Sequence, residues 1–566
     1  GREKTEVATA TLFWKPDDTL SIRLRGLYTH DFDTIAAQIV ETPRDWAAAG
    51  VPTTQLPRGY TVGVPFTIRS SLPTYLPDPS LDNIADKGRG GYKRNRYFVS
   101  LITNKKFGDY ELSYRGGWFK SEDTRDSPAF PVALPTSPMP GTGSIATPTT
   151  SLSSFTTSSE VFVNTSHQLV LLSPGDKPFR WRVGGYYFWE RDTSRFASFA
   201  TTLTPSGLAS VQSFSNIAGF GGFDWDFTDK LTLSGEGRYA RETLKYPPCI
   251  NCVPSQNTLD YSRSSNDFSP RVTLSYKVAP DHMLYALYSN GVKSGRFSNI
   301  TPPGGTQTII YAQPEKLDNF EVGTKNAFLD GRAIINLSGF FNRVRQQQLT
   351  STTQYTFVNQ AGNTVNSNIT ATNNVGKSEI WGFELETRFK VTPRFSLEGS
   401  VGYARQEFVN DQPVILSASS VIGFPGAPGD PVIMKGKTQA NVPWWNGYAA
   451  AQYVLPLESG ADLKFRLDAN YRGKLYADLA NLTAIKPAWT VNSRITLVND
   501  GWDFSLFGRN LLNNQRATGS GLAGGTTLCG YSESRTDLYG NAGNQQCLFA
   551  SPPRPLEVGI EFGYKF

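Results

Sequence analysis

The sequence predicts an all-β protein, a large antiparallel transmembrane barrel, and three observations carry that expectation. Apolar and polar residues alternate in segment after segment. The segments are long for strands. The connections between them alternate short and long from one end of the chain to the other. The closing stretch "RPLEVGIEFGYKF" sets the pattern: Leu556, Val558, Ile560, Phe562, Tyr564 and Phe566 alternate with Glu557, Gly559, Glu561, Gly563 and Lys565. Successive strand residues point to opposite faces, so such a segment has one apolar side and one polar side.

The same rhythm opens the chain. In "TLSIRLRGLY", Leu20, Ile22, Leu24 and Tyr28 share a face, with Ser21, Arg23 and Arg25 on the other. "YELSYRGGWF" sets Tyr110, Leu112, Tyr114 and Trp118 against Glu111, Ser113 and Arg115, and "RWRVGGYYFW" sets Trp181, Val183, Tyr187 and Trp189 against Arg180, Arg182 and Gly184. We count about 19 such segments of roughly 9–17 residues, enough to cross a bilayer at a tilt, which takes ~9–11 residues. Strands of globular proteins are mostly ~5–6 residues long.

The short connections use turn chemistry: "KPDD" 15–18, "NKKFGD" 104–109, "SPGDKPF" 173–179, "TD" 228–229, "APDH" 279–282, "LDG" 329–331, "TP" 392–393, "PLESG" 456–460 and "NDG" 499–501. Pro, Asp, Asn and Gly set tight-turn geometry. The long connections fall near 34–91, 123–158, 193–212, 245–265, 294–315, 345–374, 409–440, 474–487 and 511–553. Transmembrane barrels pair short periplasmic turns with longer extracellular loops. A Greek-key sandwich has no reason to sort its connections so, and no propeller-length repeat is present.

Composition agrees. The 566 residues include 52 glycines, 13% aromatics and only 18% charged residues, at a mean hydropathy of −0.34. No run approaches the ~18 apolar residues of a membrane helix. Closure hides the polar face in the lumen, so only half of each strand must be greasy. The net charge of +6 has no basic run behind it and gives no reason to expect nucleic acid. Three histidines, no HExxH and no nucleophile constellation argue against an enzyme. "NNVGKS" lacks the first glycine of a phosphate loop and heads a strand. Glu384 and Glu386 share one face of a strand, as lumen carboxylates would. No cofactor or metal site is expected.

Four cysteines stand as Cys249/Cys252 and Cys529/Cys547, in segments that read as loops. Their even number favours disulfides in an oxidising compartment. A zinc site would need Cys249 and Cys252 to meet a second pair in space. The loop 34–91 carries Trp46, Arg58, Tyr60, Arg69 and Tyr75, aromatics and arginines able to hold an anionic, ring-bearing ligand. Long loops that fold over one another and bury their own aromatics are the favoured reading for any one of these residues.

Several stretches in order resemble the barrel of TonB-dependent outer-membrane receptors. They are "FSPRVTLSY" 268–276, "YSNGVKSGRFSN" 288–299, "PEKLDNFEVGTKNAFLDGR" 314–332, "NVGKSEIWGFELE" 374–386, "NVPWW" 441–445, "FGRNLLNN" 507–514 and the terminal strand. The resemblance implies a receptor in the bacterial outer membrane, set in lipid, that imports a scarce extracellular ligand such as a ferric siderophore. It implies a 22-stranded barrel around a plug, and the TonB complex as energising partner through that plug. It also implies that the barrel-assembly machinery reads the last strand, with Phe562, Tyr564 and Phe566 as the signal. A passive pore is the alternative. Counting back from the last strand, the first segment runs toward a periplasmic turn, so the expectation for residues 1–566 is the barrel domain, with plug and opening strands lying before it.

Overall fold

The computed structural model describes residues 3–33, 39–41, 66–68, 91–128, 155–199, 208–247, 260–300, 308–358, 362–410, 413–415, 431–476, 479, 481, 483–516, 519–523, 547–551 and 553–564. These residues form strands and turns, and 19 of the strands build one antiparallel wall. The wall begins with β1 (Glu3–Trp14), β2 (Leu20–Asp33), β3 (Gly91–Phe107), β4 (Tyr110–Pro128), β5 (Phe155–Leu172) and β6 (Phe179–Phe199). It continues with β7 (Leu208–Asp226), β8 (Leu231–Tyr246), β9 (Tyr261–Ala279), β10 (His282–Lys293), β11 (Glu315–Phe328) and β12 (Ala333–Val358). It ends with β13 (Thr364–Lys390), β14 (Phe395–Phe408), β15 (Trp445–Pro456), β16 (Asp462–Arg472), β17 (Ala488–Asn499), β18 (Trp502–Arg509) and β19 (Glu557–Tyr564).

Each strand pairs with the next in sequence, from β1–β2 to β18–β19. All nine short connections fall where turn residues stand in the sequence. At 15–19, Asp17 caps the turn: its Oδ1 accepts the N–H of Thr19 at 2.7 Å and of Leu20 at 2.9 Å, and the Thr19 hydroxyl at 2.6 Å. Between β11 and β12, Leu329, Asp330 and Gly331 all take positive φ (55°, 55° and 78°), so the strands reverse in very few residues.

Register shows the two faces directly. One row runs Trp181–Phe223–Gly235–Val272–Tyr288–Phe320–Phe341–Trp381 across β6–β13. Another runs Ile560–Leu506–Ile495–Phe465–Tyr453 across β19–β15. These side chains are exposed or half-exposed, which is what a face solvated by lipid looks like when no lipid is present. The opposite face carries Arg182, Glu236, Glu321, Glu384, Arg466 and Asp468, as a lumen requires.

The packed core lies elsewhere, at the loop end. Tyr246, Phe297, Ala312, Phe408, Met434, Leu475 and Ile485 are each at most 4% exposed. Several belong to a hairpin, Arg296–Ile300 with Thr308–Ala312, and to segments that bridge strands above the wall. One expectation changes in form here. The connection near 345–374 is largely strand: β12 and β13 continue their ladder past a bulge at Val344/Gln347 as far as the pair Val358–Thr364. "QLTSTTQYTFV" and "TVNSNITATN" are rich in Thr, Val and Ile, which favour extended backbone, so the ladder propagates beyond the membrane. Among the described residues, β1 and β19 each pair on one edge only.

Candidate functional site

On the lumen face, charges on neighbouring strands neutralise one another. Arg180 grips Asp226 at 2.6 Å while the Thr232 hydroxyl donates to the same carboxylate at 2.7 Å. Arg182 pairs with Glu236 and reaches Asp224 at 3.6 Å. Arg466 donates to Glu398 at 3.2 Å and to the Tyr448 hydroxyl at 2.5 Å. Arg494 meets Glu561 at 2.9 Å, and the Asn492 amide donates to Asp468 at 2.8 Å. Most of these groups are about a third exposed, so each pair contributes at most about 1 kcal/mol. Their larger effect is to fix rotamers in a wet interior.

Two register rows then widen into a recess of about 610 Å³. One row is Glu384–Gly402–Asn446–Arg472–Ala488, and the next is Glu386–Ser400–Tyr448–Asn470–Thr490, both across β13–β17. Asn514, Arg516 and Pro553 close it on the loop side. The Arg516 guanidinium donates to the Pro487 carbonyl, and that of Arg472 to the Lys486 carbonyl at 3.2 Å. The recess thus has a carboxylate end at Glu384 and Glu386 and a guanidinium end at Arg472 and Arg516. Amide and hydroxyl groups lie between. Its volume suits a small ligand.

Above it, side-chain amides clamp the loop bases. Gln348 Nε2 donates to the carbonyls of Ser294 and Gln313, both at 2.9 Å, and its backbone N–H donates to Glu315 at 2.7 Å. Asn374 donates to the Gln313 and Gln346 carbonyls and accepts the Gln313 N–H at 2.6 Å. Asn481 and Thr438 exchange two hydrogen bonds, at 2.7 and 2.9 Å. In "NLLNN", Asn510 takes φ 50°, donates to the Asn514 and Arg554 carbonyls, and accepts the Asn514 N–H. Two stretches picked out in the sequence, 374–386 and 507–514, therefore include clamps on the loop bases.

Where strands rise past the apolar belt, charge is less well balanced. Asp192, near the loop end of β6, lies beside Glu160 and Glu190. Burial first, then the charge of Glu160, pushes its carboxyl up to about 6. Burial raises Glu190 as well. At the opposite end, the Thr19 hydroxyl and N–H hold Asp17 below the usual carboxylate range.

Trp46, Arg58, Tyr60, Arg69 and Tyr75, the ligand-binding candidates from sequence, lie outside the described residues. So do Cys249, Cys252, Cys529 and Phe566, while Cys547 begins the strand Cys547–Ser551. Phe562 and Tyr564 share the outward face of β19. Glu384 and Glu386 share the lumen face as expected. Arg472 and Arg516 escaped the sequence reading because the recess draws on five strands and a loop. The available signal was polar alternation through "FRLDANYRG".

A wall of long antiparallel strands, apolar outside and ion-paired inside, defines an outer-membrane barrel protein. The TonB dependent receptor-like β-barrel family matches residues 36–511, and the chain belongs to that family. Among curated relatives, the pesticin receptor of Yersinia enterocolitica is 23% identical over 212 residues, and that of Yersinia pestis 22%. The match takes in 37% of this chain and 28% of either relative. Among solved structures, the ferric yersiniabactin uptake receptor FyuA of Yersinia pestis superposes with TM-score 0.66 at 17% identity, over 99% of this chain and 71% of that one. The siderophore receptor PiuA of Acinetobacter baumannii gives 0.65 at 14%, over 99% and 74%. The copper transporter OprC gives 0.60 at 13%, over 97% and 71%. At such identities the likeness is one of fold.

Proposed function

We propose that this chain forms the wall of an outer-membrane receptor that captures a scarce extracellular ligand and passes it to the periplasm, with a ferric siderophore as the leading ligand class. The observation that carries the reading is the polar, ion-paired lumen beneath loops clamped at their bases, in a chain of the TonB-dependent receptor family. Such a wall is built around an occupied lumen, because a ring this wide is not filled by its own side chains. A plug inside it and the TonB complex as energy source belong to the same reading, which membership of the family supports. The solved neighbours include a ferric yersiniabactin uptake receptor, a siderophore receptor and a copper transporter, which supports chelated iron ahead of other metals or nutrients as the ligand. Barrel-assembly machinery would read the outward aromatics of β19, and the cysteines would pair within loops.

Growth decides the reading. A deletion strain and its parent are compared on iron supplied only as single ferric siderophores, with and without intact TonB. Loss of growth on one siderophore, reproduced by removing TonB, is the expected outcome. TonB-independent leakage of many small solutes would instead establish a passive pore.

A further inference from the structure

We propose that the lumen recess across β13–β17 takes an extended zwitterion: a short peptide, or a peptide-like arm of a larger ligand, with a free ammonium at one end and a free carboxylate at the other. The inference rests on the reading of the chain as a ligand-capturing receptor and adds the chemistry by which the ligand is recognised.

The two ends of the recess carry opposite charge. Glu384 and Glu386 stand in succession on the lumen face of β13, both exposed, and among the described residues no cation pairs with either. Their cross-strand neighbours are Ser338 and Gly402 for Glu384, and Asn336 and Ser400 for Glu386. Lumen arginines on the strands around them turn elsewhere: Arg388 and Arg466 both reach Glu398, at 3.7 and 3.2 Å. Two such carboxylates suit a cation with several N–H donors. A hard metal ion takes six or more oxygens, and among the described residues no acidic, histidine or cysteine group assembles a metal site. The cation that fits is an ammonium.

At the other end, Arg472 closes β16 and Arg516 comes from the loop side. Their guanidiniums donate to the carbonyls of consecutive residues, Lys486 and Pro487, which sets two cations side by side. Like charges at close range repel. A carboxylate between them relieves that repulsion and matches guanidinium geometry with paired N–H···O bonds.

Length and lining fix the rest. Glu384 and Arg472 stand three strands apart in one register row, about 14 Å between backbones at the usual spacing. Both side chains reach inward, which leaves about 7–10 Å between the charges on the ligand, the length of two or three extended residues. Asn446, Tyr448, Asn470 and Thr490 lie between the ends and offer the amide and hydroxyl partners that peptide N–H and C=O groups need. The floor is bare at Gly402, where a Cβ would meet nothing within 4 Å. A volume of about 610 Å³ accommodates such a chain.

The test titrates the full-length protein in detergent with trialanine, N-acetyl-trialanine and trialanine amide, read by isothermal calorimetry. Trialanine should bind about tenfold or more tightly than either blocked form, the weight of one charge-assisted contact. In the double variant Glu384→Gln, Glu386→Gln, trialanine should weaken by about that factor and the N-acetyl form should not, so discrimination at the amino end disappears. Arg516→Gln should erase discrimination at the carboxyl end and keep it at the amino end. Gly402→Leu, which fills the floor, should abolish binding of all three. Heat-modifiable gel mobility verifies that each variant is folded. Equal affinity of the native protein for the three peptides overturns the proposal, as does a double variant that still discriminates. So does absence of trialanine binding, the result expected if another part of the full-length protein fills the recess. TonB-dependent growth on a ferric siderophore is scored separately. Growth without terminus-selective binding leaves the receptor reading in place and removes the zwitterion, and terminus-selective binding without such growth does the reverse.

Discussion

Two aspartates show how single residues respond to their place in this wall, with opposite signs. Asp17 accepts three hydrogen bonds in the first turn and is held below the usual carboxylate range. Its charged form is the one the fold favours, so its contribution is present above the ordinary value and fades as pH falls through its lowered one. Asp192 is the reverse: its carboxyl sits at about 6 against an ordinary 3.8, and its Oδ1 is buried without a hydrogen-bond partner. Between those two values the folded chain holds a proton that the unfolded chain has released. Stability therefore falls as pH rises through that window, and the penalty is complete above about 6. Asp192→Asn should raise the thermal midpoint at pH 7.5 relative to wild type, leave it nearly unchanged at pH 4, and flatten the profile between. A variant whose midpoint tracks wild type at every pH would remove the like-charge argument. Asp17→Ala should lower the midpoint at pH 7.5 and lose its difference from wild type under strong acid, read from circular dichroism melts in detergent.

At the scale of strands and hairpins, backbone spacing decides what substitutions cost. A Cβ on Gly382 would stand 1.9 Å from the Tyr403 carbonyl oxygen and 2.9 Å from the Phe340 ring, whereas one on Gly402 meets nothing within 4 Å. Gly382→Ala must part β13 from β14 or twist both. Overpacking of this kind typically costs about 1–3 kcal/mol, read as a shift in the urea midpoint of the folded band. Gly402→Ala, on the neighbouring strand, should leave that midpoint unmoved. Period-two alternation and turn chemistry made the nineteen strands and nine turns legible, because each is a local consequence of a face solvated by lipid. The β12–β13 ladder was not, since Gln, Asn and Thr in sequence suit a loop as well as an extended hairpin. What decides between them is the pairing of "QLTSTTQYTFV" with "TVNSNITATN", which composition does not reveal. The recess was equally hidden: Glu384 and Arg472 lie far apart in sequence and share a row only through the registers of β13–β16.

Direction is a property of the whole wall. Successive strands alternate, so in nineteen the first and last point the same way: β1 runs into the turn at 15–19, and β19 returns from the loop side toward the turn side. Each keeps one unpaired edge among the described residues, and Val7, Leu12, Val558 and Ile560 are all more than 60% exposed. Unpaired backbone groups cost several kcal/mol each in hydrocarbon. An antiparallel wall thus closes only when an odd number of further strands stands between β1 and β19. Three would give the 22 that family membership implies. The proposal that residues 1–566 are a barrel domain with its opening strands elsewhere can be tested by cross-linking. Cysteines placed at Ala10 and Ile560, on a background without the four native ones, should not form a disulfide in the folded full-length protein. A pair at Leu12 and Leu24, directly opposed in register, should cross-link readily as the positive control. Efficient Ala10–Ile560 cross-linking in the membrane would mean that β1 and β19 meet as parallel neighbours, and the requirement for intervening strands would fall.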